Sequence, residues 1–302
     1  MSFDFSSFTE SVISSIGPGA SSRVKRCFPI LVRKMHEFLI EADVTTEEWM
    51  DACNLLIAAG KVSSDKRNEM VLVTDVFGIE SLVTALDQTR PERLAAVDKL
   101  EEARKTPATF SAILGPFYRY GVPVQPNGTS IIRQDEPGAP YTHLFGTIYG
   151  PDGKPVPNAL VDVWHDAPDG LYDAQSPEKP EYHCRGRFRT DENGRYETYC
   201  LRPVPYPIPF DHQAGQLLKI MDRHPYRPAH IHFWIEAPGC RTLVTQIFDS
   251  LSDYLKDDSV FAVKDDLVVE FKPIPPHFKP PPELEGKLQY ELQQDFHLQS
   301  NE

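Results

Sequence analysis

The hydrophobic period changes once along the chain, and this change constrains the fold more than any other feature. Before residue 105, apolar residues recur at helical spacing in SRVKRCFPILVRKMHEFLIEA, TTEEWMDACNLLIAAG, SSDKRNEMVLVTDVFGIESLVTALDQ and RPERLAAVDKLEEARK. The second segment opens with a threonine cap and ends in Gly60. From about residue 142 the period is two, in short runs separated by the turns PDGK, DENG and APGC, which predict three β-hairpins. We therefore expect the α+β class, with an N-terminal helical domain over residues 1–105 and an antiparallel β-sandwich over residues 106–302.

The end of the β region is rich in proline. Its segment FKPIPPHFKPPPELEG favours extended backbone without regular pairing. We expect this tail to wrap the surface rather than to build the core.

Composition and charge exclude several classes of function. The 302-residue chain has a net charge of −13, which argues against a broad basic surface for nucleic acid or an anionic membrane. No apolar run approaches the ~20 residues that a membrane span needs, and the N-terminus lacks the basic start and apolar block of a secretory signal. The five cysteines are scattered and form no CxxC pair, so neither a disulfide framework nor a thiolate zinc site is indicated. We expect a cytoplasmic protein.

The segment RPAHIHFWI places two histidines two positions apart in a run that is typical of a buried strand. Side chains at i and i+2 of a strand share a face, so His230 and His232 project side by side and Trp234 continues their face. The opposite face carries Ile231, Phe233 and Ile235. Such a pair either holds a metal ion or is hydrogen-bonded in place, and the residues alone leave both alternatives open.

Two tyrosines are further candidate ligands, because Asp222 and Glu236, the acids near the histidine pair in sequence, are poorly placed for a ferrous site. Tyr172 follows a glycine in DGLYDA, and Tyr206 lies in RPVPYPIPFD, where prolines stiffen the loop. A phenol, with an ordinary pKa of about 10, becomes a ligand only beside a strongly charged ion, and ferric iron fits that demand. The alternative is that each tyrosine donates one hydrogen bond and fills space.

The segment LFGTIYGPDGKPVPNALVDVWHDAPDGLY resembles the signature segment of the intradiol ring-cleavage dioxygenases, and RGRFRTDENGRY, RPVPYPIP, HPYRPAHIHFWI and RTLVTQIF follow in the family's order. The helical N-terminal region is similar to that of the catechol-type branch. The resemblance implies a non-haem Fe(III) ion bound by two tyrosinates and two histidines, at positions that match Tyr172, Tyr206, His230 and His232. It also implies that a small aromatic diol is cleaved with O2 between its two hydroxyl-bearing carbons.

The resemblance also implies roles for single residues. Tyr206 would leave the iron and accept a substrate proton, while Tyr172 stays bound. Arg227 matches the family arginine that faces the substrate, and Gln246 matches the active-site glutamine. Taken alone, Arg227 could be a solvated loop cation and Gln246 an outward-facing strand residue. The segment PFDHQAG stands where many members have Asp-Gly-Pro, which makes His212 a departure from the family.

The pocket residues indicate which diol is cleaved. The segment ILGPF can form a lid over a flat ring, and its Phe and the LVTD segment resemble hydroxyquinol 1,2-dioxygenases more than catechol cleavers. A buried third hydroxyl needs an acceptor, and the carboxylate of Asp75 is the expected one; the alternative is a solvated helix residue. The expected product is maleylacetate, or cis,cis-muconate for the alternative, a catechol 1,2-dioxygenase. The residues expected to bind the substrate are Leu72, Asp75, Ile113, Gly115, Pro116, Phe117 and Arg227.

The catechol-type resemblance further implies a homodimer through the N-terminal helices, with a lipid-sized apolar tunnel. Two hypotheses from other classes stand beside it. One is a zinc-dependent hydrolase whose zinc is held by His230, His232 and an acid, and the other is a non-catalytic, transthyretin-like binding module. The colour of the purified protein distinguishes the three hypotheses. Fe(III)-tyrosinate absorbs broadly in the visible range, whereas a zinc protein or a metal-free protein is colourless.

Overall fold

The structure is a computed structural model that describes residues 4–88 and 108–301. The chain divides into two compact units, Met1–Ala58 and Ala59–Glu302. The domain boundary predicted at residue 105 and the helical segment predicted over residues 90–105 lie outside the described residues. Both therefore stay predictions.

The helical character of the N-terminal region is confirmed. Helix α3 begins with a reciprocal cap, in which the Thr45 hydroxyl accepts from the Glu48 N–H at 3.2 Å and the Glu48 carboxylate accepts from the Thr45 N–H at 2.8 Å. It runs past Gly60, because this glycine does not adopt the left-handed conformation that ends a helix. None of the described helices is both long and apolar enough to cross a membrane. The helices of this region are α1 Phe5–Ser14, α2 Ser22–Glu41, α3 Thr46–Val62, α4 Glu69–Val76 and α5 Ile79–Gln88.

Within described residues 108–301, the second unit contains two large sheets, a two-stranded ladder of β6 and β7, and one further α-helix. The strands are β1 Val124–Gln125, β2 Tyr141–Tyr149, β3 Leu160–Trp164, β4 Arg185–Arg189, β5 Arg195–Leu201, β6 Tyr206–Pro207, β7 Tyr226–Arg227, β8 His230–Glu236, β9 Leu243–Asp249, β10 Val268–Val269, β11 Lys272–Pro273, β12 Leu288–Gln293 and β13 Phe296–His297, and helix α6 is Gln213–Ile220. One sheet has the order β1-β4-β3-β8-β9-β10, and the other has the order β11-β12-β2-β13, with β5 also paired to β2. Buried side chains of both sheets form one core, which confirms the sandwich.

The sandwich is antiparallel through its main ladders and parallel at other pairs. Strands β4, β3, β8 and β9 pair antiparallel, as do β2 and β5. Parallel pairs join β1 to β4, β10 to β9, and both β12 and β13 to β2. The sheets are therefore mixed, because β1 near the start of the β region and β10, β12 and β13 near its end run parallel to the strands that they pair with.

Only one of the three predicted hairpins exists. Strands β8 and β9 pair as expected across the APGC turn. The PDGK turn instead connects β2 to β3, and the DENG turn connects β4 to β5, so each of these two connections passes from one sheet to the other. The two hairpin predictions are wrong because turn residues specify that the chain reverses, but not which strand the next segment pairs with.

The expectation that the proline-rich tail stays out of the core is wrong at its two ends, whereas residues 272–283 between them are exposed or partly exposed. Phe271 and Leu284, which flank its prolines, are buried, and β12 and β13 follow and pair with β2. The backbone between β12 and β13 packs closely against β2, since a Cβ at Gly146 would collide with the carbonyl of Gln294. The prolines keep the connecting stretch extended, while the apolar residues around them fill the core.

Strand β8 has the two faces that the sequence predicts. Ile231, Phe233 and Ile235 are fully buried in the core between the sheets. His230 and His232 lie on the other face, where their ring centroids are 4.7 Å apart. This face forms the floor of the site.

Candidate active site

Four side chains bring their polar atoms together over β8. The Nε2 atoms of His230 and His232 are 3.1 Å apart, and the Tyr172 hydroxyl lies 3.4 Å and 3.2 Å from them. The Tyr206 hydroxyl is 3.3 Å from that of Tyr172. All four side chains are buried. The structure thus brings together the four residues that the sequence assigns as metal ligands.

The spacing and chemistry of this cluster fit one metal ion. Two metal–ligand bonds of about 2.1 Å at angles of about 90–110° place their donor atoms about 3.0–3.4 Å apart, which is the range seen here. Two phenolates offset much of the charge of a ferric ion, so the donor set suits Fe(III). Among residues 4–88 and 108–301, no group of three or more His, Cys, Asp or Glu side chains could hold a metal. The hydroxyls of Tyr172 and Tyr206 lie beside the histidine pair, whereas the zinc hydrolase would need an acid there.

His230 presents its Nε2 atom because its other nitrogen has a backbone partner. The Nδ1 atom of His230 lies 2.7 Å from the Pro228 carbonyl, so Nδ1–H donates there and the Nε2 lone pair faces the cluster. His232 stacks on Trp164 with centroids 4.7 Å apart. Burial lowers the pKa of both imidazoles well below the ordinary value, so both are neutral and able to act as ligands.

The tyrosines approach each other because of a glycine. Gly170 has a φ of +75°, and a Cβ there would lie 3.0 Å from the Tyr206 Cβ, so a larger residue would push the Tyr172 loop away. Phe117 stacks on Tyr172 with centroids 4.9 Å apart. Burial raises the pKa of both phenols, so each ionises only beside a strong positive charge.

Arg227 is the centre of the charged part of the site. It pairs opposite Tyr206 in the two-stranded ladder of β6 and β7. Its guanidinium lies 3.0 Å from His230 Nε2 and donates to Gln246 Oε1 at 2.8 Å. It also donates to both oxygens of Asp258, at 3.1 Å and 3.2 Å. The alternative of a solvated cation is wrong, since Arg227 is buried.

Gln246 connects this arginine to the predicted lid. In the β8–β9 ladder it lies opposite His232, and its amide donates to the Ile113 carbonyl at 2.8 Å. It is fully buried, so the alternative of an outward-facing strand residue is wrong. Gly115 of the same segment packs against His232, where an added Cβ would lie 3.3 Å from the ring.

The remaining predicted pocket residues lie on α4 and on the lid. Leu72 and Asp75 are both 1% exposed, and the Asn68 N–H at the start of α4 donates to the Pro116 carbonyl at 3.2 Å. The alternative of a solvated Asp75 is therefore wrong. Burial, reinforced by the neighbouring Glu80, raises the pKa of Asp75 to about 9. The direction of this shift favours a neutral carboxyl at pH 7 over the carboxylate that the sequence suggests.

His212, which departs from the family pattern, lies outside the cluster, and three residues of the site were not predicted from the sequence. His212 precedes α6, is partly exposed, and pairs with Asp211 at 3.5 Å. The residues missed are Glu80, Trp164 and Asp258. Asp258 follows another aspartate in LKDDS, and only its burial beside Arg227 distinguishes it.

Comparisons with known proteins agree with this geometry. The family model described as "Dioxygenase" matches residues 113–299, and the model described as "Catechol dioxygenase N terminus" matches residues 21–94. The chain is 42% identical to a catechol 1,2-dioxygenase of Candida albicans, over 96% of this chain and 91% of the relative. It is 38% identical to a hydroxyquinol 1,2-dioxygenase of a Rhizobium species, over 87% and 84%. The crystal structure of a hydroxyquinol 1,2-dioxygenase from Pseudomonas putida superposes with a TM-score of 0.76 and 31% identity, over 98% of this chain and 99% of that one.

We predict that Asp258→Asn lowers stability strongly. The substitution keeps the shape of the side chain but leaves the buried charge of Arg227 without its counter-charge, which costs about 3–5 kcal/mol of unfolding free energy. Urea unfolding followed by circular dichroism measures this loss. The matched control is Lys154→Ala, which breaks an exposed pair with Asp152 and should leave the urea midpoint unchanged. Equal stability of Asp258→Asn and wild type would contradict the prediction.

Proposed function

The chain belongs to the intradiol ring-cleavage dioxygenase family, and from this premise we propose that it cleaves hydroxyquinol (1,2,4-trihydroxybenzene) with O2 to give maleylacetate. The observation that carries the substrate assignment is Asp75, a buried carboxyl on α4 whose charged neighbours include Arg227. A buried carboxyl that faces a ring pocket gives a partner to a third hydroxyl, which catechol lacks.

We propose that Tyr172, Tyr206, His230 and His232 hold a single Fe(III) ion. When bound, this ion supplies Lewis acidity that activates the diol toward O2. The proposal is supported by the donor spacings of 3.1–3.4 Å, by the neutral histidines and by the two phenols.

The residues around the cluster bind and orient the diol. The phenolate form of Tyr206 accepts a proton from one substrate hydroxyl at its Oη atom. Arg227, held by Asp258, stabilises the negative charge that develops on the substrate oxygens. Gln246 keeps Arg227 and the Ile113 segment in one arrangement, and Phe117 excludes water from the ring side of Tyr172.

Catechol 1,2-dioxygenase activity, which forms cis,cis-muconate, is the second candidate. The relative from Candida albicans with that name is 42% identical to this chain. A protonated Asp75 also tolerates a ring without a third hydroxyl better than a carboxylate does, because an unpaired neutral acid carries a smaller desolvation penalty.

We expect purified enzyme to prefer hydroxyquinol. A hydrogen bond between neutral groups contributes about 0.5–1.5 kcal/mol, so kcat/KM for hydroxyquinol should exceed that for catechol about two- to tenfold at pH 7. Oxygen uptake with both diols, with product identification by mass spectrometry, provides the measurement. A higher kcat/KM for catechol would overturn the hydroxyquinol assignment in favour of the second candidate.

The iron ligands are tested by metal content and colour. His230→Ala and His232→Ala should lose iron and the visible absorption together, because each removes one donor atom. Tyr206→Phe should lower turnover by more, relative to its loss of iron, than Tyr172→Phe does. The reason is that only Tyr206 is proposed to accept the substrate proton. Tyr196→Phe is the control, because this buried phenol donates to the Gln294 carbonyl on the far side of the core. Full iron content and an unchanged visible band in His232→Ala would contradict the ligand assignment.

We propose that the first unit forms a homodimer with a second copy. Helix α2 exposes a row of large apolar residues that a monomer rarely leaves in water, namely Ile30, Leu31, Met35 and Phe38. A groove of about 450 Å³ is lined by residues of the first unit that include Phe8 and Leu39, and we propose that it takes an acyl chain.

Light scattering after size-exclusion chromatography should give twice the monomer mass of 34.2 kDa. Phe38→Glu should shift the mass toward the monomer, because it places a charge in the apolar row. Arg26→Glu, on the same helix but at a position that is already charged, is the control. A wild-type protein of 34.2 kDa at micromolar concentration would contradict the dimer.

A further inference from the structure

Two acidic side chains lie together beneath the lid. Asp75 is at the end of α4 and Glu80 is in the first turn of α5, and a tight turn at Gly78, with a φ of +69°, separates the two helices. One oxygen of Glu80 accepts from the Leu114 N–H of the lid at 2.6 Å. The other oxygen of Glu80 and both oxygens of Asp75 are buried, and no N–H or O–H donor of the described residues reaches them.

Two such carboxyls can be neighbours in a buried site only if they hold a proton between them. Both are acceptors when ionised, so a hydrogen bond between Asp75 and Glu80 requires a proton on one of them. Burial and Glu80 raise the pKa of Asp75 to about 9, so this proton stays bound at neutral pH.

The other charges that face Asp75 do not displace this proton. Arg227 favours the ionised form of Asp75, and Asp258 opposes it. Because Asp258 already binds the Arg227 guanidinium through both oxygens, little of that positive charge is left to stabilise a second carboxylate. Asp75 therefore donates to Glu80 and keeps one oxygen as an acceptor.

We propose that Glu80 is a positioning residue for substrate selection: it accepts the proton of Asp75, holds the lid at Leu114, and leaves one Asp75 oxygen to receive the third hydroxyl of the substrate. This inference rests on the proposed function, since it concerns the same pocket and the same pair of diols. It differs from the sequence-based expectation in that the acceptor is a neutral acid.

The protonation state of Asp75 determines how strongly the pocket prefers hydroxyquinol over catechol. A neutral carboxyl accepts a hydroxyl with moderate strength and remains tolerable when a catechol ring leaves it unpaired. A carboxylate would bind the third hydroxyl more strongly and would penalise catechol, because a buried charge would then lack a partner. Burial and Glu80 together thus widen the substrate range by keeping Asp75 protonated.

Three substitutions separate these states through the ratio of kcat/KM for hydroxyquinol to that for catechol, at pH 7 and with iron bound. Asp75→Asn should stay within about threefold of the wild-type ratio, because its amide donates to Glu80 and its carbonyl still accepts. Asp75→Ala should bring the ratio close to one. Glu80→Gln should raise the ratio about five- to tenfold, because its amide keeps the Leu114 contact and donates to Asp75, which favours the ionised form of Asp75 against the burial that opposes it.

Protein stability gives a readout that is independent of turnover. The pKa of Asp75 is higher in the folded protein than in the unfolded chain, so its contribution to stability is complete below about pH 4 and is lost as pH rises toward about 9. The neutral amide of the Asp75→Asn variant does not titrate and would carry no such penalty. Asp75→Asn should therefore melt at a higher temperature than wild type at pH 8, and the two melting temperatures should converge near pH 4.

The outcomes distinguish this inference from the proposed function. If Asp75→Asn behaves like Asp75→Ala in the substrate ratio, or if Glu80→Gln leaves the ratio unchanged, the role of Glu80 in selection is overturned. If Asp75→Asn melts below wild type at pH 8, proton sharing is overturned. A wild-type preference for catechol overturns the hydroxyquinol assignment alone, and the melting comparison then still decides whether the proton is shared.

Discussion

The two-residue side-chain period of β8 is the constraint on which the site depends. Ile231, Phe233 and Ile235 fill the core between the two sheets, and a slip of one residue would expose all three. The register that buries them directs His230 and His232 to the opposite face. Because β8 pairs with β3 on one side and β9 on the other, the strand is held by two ladders, and the core packing positions the imidazoles.

The hydroxyls of Tyr206 and Tyr172 reach this face through short, local backbone contacts. Tyr206 belongs to a two-residue ladder whose second strand, β7, ends just before β8, so its pairing with Arg227 sets it near His230. Tyr172 comes from the connection after β3, and Gly170 allows that connection to approach the Tyr206 backbone. A rigid sheet thus supplies two donors, and stiff loops supply the other two.

Burial then decides which groups of the site carry charge. Arg227 remains a cation in a buried position because Asp258 binds it through two hydrogen bonds. Among the described residues no cation donates to Asp75, and burial beside Glu80 raises the pKa of its carboxyl. In the proposed function, the site would therefore offer one positive group toward substrate oxygens and one neutral acid toward the ring edge. This division follows from the high free energy of an uncompensated charge in a medium of low polarity.

The sequence by itself determined the succession of helices and strands, the shared face of His230 and His232 and, through its resemblance to one family, the four metal-binding candidates. It could not show that PDGK and DENG connect the two sheets, or that Phe271 and Leu284 at the ends of the proline-rich tail are buried. It also could not separate buried Asp258 from exposed Asp257, or show that Asp75 is protonated. A local pattern reports which face of an element is apolar. The strand that pairs beside it, and the polarity around a buried carboxyl, depend on residues that are far apart in sequence and that only the tertiary structure brings into contact.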